Sequence, residues 1–232
     1  MASPEIFLAF LITLASVQAI NSVEFSVTNN AGNTAGGVRF DLEIGTSYAE
    51  QTLKSATDFV WKIFQQETDT DDRKSVQSIR LFIDAEYDGV SYTFGGDICI
   101  AAKHIAEFSG DLKNEISGII YPEVAHVWQW SGNSEAPGGL IDGVAEFVRL
   151  KSGFVSGEWP GAGEGERWDE GGGVTARFLE YLEGLGSGFV AEINRKMRNG
   201  YREDYFVELM AATAGELWAD YKAEYAPIIN TN

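Results

Sequence analysis

The sequence predicts an α+β fold, with a small N-terminal sheet and a mostly helical C-terminal half. Two patterns carry this. Short runs alternating apolar and polar residues, bounded by Gly, Asn and Asp, occur only upstream of Ala101. From Asp111 onward apolar residues recur at three and four, the spacing of helices packed on a core. The composition supports one large core: 44% of 232 residues are apolar, including 14 Phe, 9 Tyr and 6 Trp, which excludes a disordered chain.

In chain order, Ile6 to Ala19 is an apolar run ending Val17-Gln18-Ala19. It is too short to span a membrane comfortably and reads as a signal peptide, residues 1–19, cleaved before a single domain of residues 20–232. Val23 to Val27 alternates as a strand, and Asn29 to Gly37 is a Gly/Asn turn region. Gly45 to Gln66 is a helix, with Tyr48, Leu53, Ala56, Phe59 and Val60 on one face. A charged loop, Thr68 to Lys74, leads to a strand at Val76–Ile83. Two short strands, Tyr92–Phe94 and Ile98–Ile100, flank Gly95-Gly96-Asp97. Asp111 caps a helix that starts at Leu112 and contains Glu123 and His126. Further helices are expected at Gly138–Leu150, Val174–Glu183, Phe189–Met197, Tyr205–Ala212 and Glu216–Tyr225, with Glu158–Glu170 a surface loop.

Charge narrows the partners. Thirty-five acidic side chains against 17 Lys and Arg give a formal net charge of −18. Nucleic acid and anionic membrane surfaces are repelled; the mature chain is expected to be a monomer off the membrane, with a peptide or protein as its ligand. Cys99 is the only cysteine, so no intramolecular disulfide can form and the core alone must hold a secreted fold. No Asn-x-Ser/Thr acceptor is present.

The stretch that bears on chemistry is Tyr121-Pro122-Glu123-Val124-Ala125-His126-Val127-Trp128-Gln129-Trp130. A zinc peptidase helix reads H-E-x-x-H: the two histidines, at i and i+4, bind the metal, and the glutamate is the general base. Glu123 and His126 occupy two of these positions, but Pro122 stands at the first histidine. Proline has no ligand atom. Deep in a helix, its ring also opposes the carbonyl four residues back, at Gly118, and removes a hydrogen bond, costing about 3 kcal/mol. Trp128 and Trp130 cannot share one helical face, so one is expected in the core and the other on the cleft. Cys99 reads as a buried small residue and His104 as structural or surface. Arg149 and Lys151 read as compensation of a helix C-terminus.

This stretch, with Ala136-Pro137-Gly138-Gly139-Leu140-Ile141-Asp142-Gly143 after it, resembles the plant basic secretory protein family. The family's runs are Y-H-E-M-T-H-V-W-Q-W and A-P-G-G-L-I-E-G-I-A-D. The resemblance extends to Val27–Ala31, Thr34–Phe40, Trp168-Asp169, Val174–Leu179 and Lys196–Tyr201, which is nearly the whole chain beyond the signal. It implies a zincin-like metallopeptidase fold, secretion to the apoplast, an association with plant defence and, in active relatives, a catalytic zinc. Carried over, Glu123 is the catalytic base, His126 and Asp142 are metal ligands, and Glu146 supports them from behind. Asp142 and Glu146 stand where the family has glutamate and aspartate, and Gly172 stands where it has a tyrosine. The expectation is a metallopeptidase-like pseudoenzyme, with zinc weak or absent. An active protease with an atypical metal shell and a metal-free binding module are the rivals.

Overall fold

Strand β1 (Glu24–Asn29) opens the chain in a computed structural model that describes residues 23–67, 72–155 and 157–226. The expected signal peptide and part of the Thr68–Lys74 loop lie outside the described residues. The turn after β1 is shorter than its glycines suggest. The Asn29 side chain accepts from Ala31 N and donates to Gly37 O. Thr34 then caps helix α1 (Ala35–Glu43) through a 3.1 Å bond from Gly37 N. The expected turn region therefore overlaps a helix. Gly36 and Gly37 are there for close approach: a Cβ on Gly36 would lie 1.7 Å from the Ala102 carbonyl oxygen.

Helix α2 (Gly45–Ile63) buries Ala49, Leu53, Ala56 and Val60 along one stripe. It is the crossover from β1 to strand β2 (Ser78–Asp84), which pairs parallel to it. Strands β3 (Ser91–Phe94) and β4 (Asp97–Ala101) form a hairpin over Gly95-Gly96, with Gly95 at φ +62°. The sheet order is β1-β2-β4-β3, parallel except for β3, which runs antiparallel along one edge.

Helix α3 (Ala102–Glu107) leads into α4 (Leu112–Trp128), which Asp111 caps by accepting from Lys113 N and Asn114 N, as expected. Helices α5 (Gly138–Ser152), α6 (Gly172–Leu185), α7 (Phe189–Lys196), α8 (Tyr205–Met210) and α9 (Ala214–Glu224) complete the fold. α6 takes in Gly172 and Gly173, and α9 begins ahead of Glu216 because Thr213 and Glu216 form a reciprocal capping box.

The layout is mixed α+β, the small sheet with a helical second half expected of a zincin-like fold. α2 packs on β1, α4 packs on β3, and the two helices pack on each other, so both cover the same sheet face. That face is the core side: Ile79, Leu81 and Ile83 alternate inward along β2, while Arg80 faces out. α4 is buried along almost its whole length, and Val124, Ala125 and Trp128 are at the centre of the molecule. Surrounded in this way, α4 stays helical through Pro122; packing against α2, α5 and β3 outweighs the proline defect.

Candidate active site

Helices α4 and α5 lie side by side, and a cleft of about 1060 Å³ opens where they meet the edge strand. Ser91–Asp97 form one wall, Lys74–Ser78 and Arg80 another, and Glu123, His126 and Asp142 point in from the helices. Glu146, one turn beyond Asp142, is not on the cleft wall.

Glu123 is buried, and each of its carboxylate oxygens is held by a hydroxyl of β3. Ser91 Oγ donates to Oε1 at 2.6 Å, and Thr93 Oγ1 lies 2.5 Å from Oε2 and 3.1 Å from the Glu123 carbonyl. The period of two along a strand puts Ser91 and Thr93 on this side, with Tyr92 and Phe94 on the other. The candidate base is therefore also the tie between the central helix and the edge strand. The residue motif could not reveal this, because the partners lie 30 and 32 positions upstream.

His126 is in the last turn of α4. Its Nδ1 is 2.6 Å from Gln129 Nε2. The amide donates, so Nδ1 accepts and the ring proton sits on Nε2. The buried Oε1 of Gln129 has no partner. Turning that amide over would let Oε1 accept from Nδ1–H and leave Nε2 as an acceptor, so the tautomer of His126 and the orientation of Gln129 are linked. Burial holds the imidazole pKa below its ordinary value. The charges of Glu123 and Asp142 oppose this, and the Lys74 ammonium adds to it. Burial pushes the Glu146 carboxyl up; Arg149 draws it back, and Glu123 and Asp142 push it further.

Arg149 does more than compensate a helix end. Its Nε donates to the Phe154 carbonyl at 3.2 Å, and its guanidinium lies 3.8 Å from Glu146 and 4.0 Å from Glu115. Glu115, buried, also lies 2.8 Å from His104 Nε2, which gives His104 a structural place. Cys99 is buried, Trp128 is in the core, and Trp130 lies on the cleft. The glycines of the α5 signature are packing residues. A Cβ on Gly139 would meet the Asp169 carbonyl oxygen at 1.8 Å, and one on Gly143 the Thr175 methyl at 2.2 Å. Gly172 is at φ +51° with open space where a side chain would start.

A catalytic zinc takes three protein ligands and an open position. The donors here do not meet that requirement. Pro122 supplies nothing, which leaves His126 and Asp142 as the two carried-over ligands. Among the described residues, no group of three or more His, Cys, Asp or Glu side chains could hold a metal ion.

Comparison with known proteins places this architecture. A family model described as a peptidase of plants and bacteria matches residues 20–221. The chain belongs to that family. Its match to the peptidases of plants and bacteria spans β1, the cleft and all the helices up to Tyr221 in α9. A basic secretory protease of Boswellia serrata is 45% identical over 60 residues, 26% of this chain and 69% of that relative. No solved structure matches the chain.

Proposed function

We propose that the chain is a secreted, extracellular, defence-associated member of the peptidase family whose cleft binds extended peptides and whose zinc-dependent hydrolysis is impaired or lost. The observation that carries this reading is the state of Glu123. A general base must be free to take a proton from an attacking water. Here the carboxylate is held by Ser91 and Thr93, beside a proline where the first metal-binding histidine belongs. His126 and Asp142 alone would leave a zinc ion mostly hydrated, and its water would not be acidified towards neutrality.

The binding half of the proposal rests on the edge strand. Among the described residues β3 pairs with β4 on one side only, so its other edge is open to an added extended strand beside the cleft. An extracellular setting agrees with the relative named a secretory protease.

The test measures zinc by elemental analysis, and casein cleavage with and without chelator, for the unmodified protein and for Pro122→His. The unmodified protein is expected to hold well under one zinc and to leave casein intact. The variant regains a histidine four residues ahead of His126 and loses the proline defect. Its zinc affinity is expected to rise more than about tenfold and its Tm to increase, from a defect of about 3 kcal/mol. One tightly held zinc together with chelator-sensitive cleavage in the unmodified protein would overturn the impaired-enzyme reading and favour an active protease with an atypical shell.

A further inference from the structure

Lys74 carries an inference about the ligand of this cleft, one that rests on the peptide-binding reading above. Its ammonium is on the cleft wall at the C-terminal end of α4, where Nζ donates to the Val127 carbonyl at 3.3 Å and stands 5.4 Å from the centre of the Trp130 ring. One carbonyl and one ring face leave donor capacity unused, since an ammonium carries three N–H groups. No carboxylate of the described residues forms an ion pair with it, although acidic side chains outnumber cations two to one in this chain.

Two of the acids of the cleft are committed elsewhere. Asp97 holds Arg80 through two bonds of 2.6 and 2.8 Å, and Glu123 is held by Ser91 and Thr93. Asp142 projects from the α5 side of the cleft. Lys74 is thus a cation partly removed from water without a counter-charge, and burial lowers its pKa. Such a group is costly on its own and strongly favours an incoming anion. Lys74 and His126 line the same cleft. The neutral side chains of Ser75, Gln77 and Ser78 line the same wall and can donate to the second oxygen of a bound carboxylate.

We infer that Lys74 is the anion anchor of the cleft and that the preferred ligand is an extended peptide whose carboxylate lies on this ammonium beside Trp130. The carboxylate can be a free C-terminus or an acidic side chain. Both offer the same oxygens to Lys74, and the experiment separates them.

Isothermal titration calorimetry would compare three N-acetylated hexapeptides of alternating valine and threonine. One ends in a free acid, one in an amide, and one in an amide with glutamate as its last residue. Each is titrated into the unmodified protein, Lys74→Met and Lys74→Arg. The free acid, or the glutamate peptide if a side chain is the natural source, is expected to bind at least about tenfold tighter than the plain amide, an advantage that shrinks with added salt. Lys74→Met should abolish the advantage, so that the carboxylate peptides bind that variant no tighter than the plain amide does, and Lys74→Arg should keep most of it. Should Lys74→Met fail to fold, the three peptides on the unmodified protein and on Lys74→Arg still decide. Equal binding of all three peptides to the unmodified protein would overturn the anchor and leave the peptide-binding cleft standing. Binding of none would overturn both.

Discussion

At the residue scale, the acidic groups at the junction of α4 and α5 face opposite demands. Glu123 has two hydroxyl donors within 2.6 Å, whereas the nearest cation to Glu146 is Arg149 at 3.8 Å, itself shared with Glu115. Burial therefore wins at Glu146 and raises its pKa, with the neighbouring Glu123 and Asp142 charges adding to it. The sign follows from proton binding. A carboxyl with a folded pKa above its unfolded value binds more protons when folded, so its contribution favours the folded state below the unfolded pKa and is lost as pH rises through the folded pKa. Glu146→Gln mimics the protonated form at every pH. The variant is expected to melt above the parent at pH 7, and the gap should close as pH falls to about 4, near the unfolded carboxylate range. Thermal denaturation across that window checks it. A variant that melts below the parent at pH 7 would mean that the Arg149 contact outweighs burial.

At the element scale, the bond between α4 and β3 has the largest consequence for the cleft. An edge strand of four residues is a weak element, held on one side by β4 and from below by Glu123. Thr93→Val keeps the shape and removes a donor from a buried carboxylate. A hydrogen bond to a charged group is worth about 1.5–3 kcal/mol, so a Tm loss of roughly 4–10 °C is expected. Backbone amides of Ser91–Phe94 should exchange faster than those of β2, as measured by hydrogen exchange. Unchanged stability and exchange would show that Glu123 does not anchor the strand. Much of this element map was legible beforehand because its signals are local. Asp111 stands ahead of an apolar run, Gly95-Gly96 sits between two alternating segments, and Glu123 and His126 fall one turn apart. What escaped was tertiary. Nothing near Gly36 says that its missing side chain admits the Ala102 carbonyl, so α1 was hidden under a turn signal. Ser91, Thr93 and Lys74 are ordinary strand and loop residues until folding sets them against α4. Arg149 matched a helix-end rule, yet its partners come from α4 and from the turn after α5.

At the scale of the whole molecule, the fold makes its core without covalent help. Cys99 is buried and has no second cysteine to meet, so apolar packing along α2, α4, α5 and β2 carries the stability of a chain with a formal charge of −18. An exported protein without disulfides is viable when such a core is large. Processing of the chain is an expectation from its first residues. The family match starts at Ile20, the residue after the Val17-Gln18-Ala19 run. Residues 1–19 carry Glu5 as their only charged side chain and no Lys or Arg. An export signal there would rest on the apolar run and the small residue at position 19. The mature protein is expected to begin at Ile20. N-terminal sequencing of protein recovered from the medium of expressing plant cells checks this, and placing an acidic residue at position 19 by Ala19→Asp should block processing. A soluble intracellular product that keeps residues 1–19 would refute the signal and, with it, the extracellular setting proposed for the cleft.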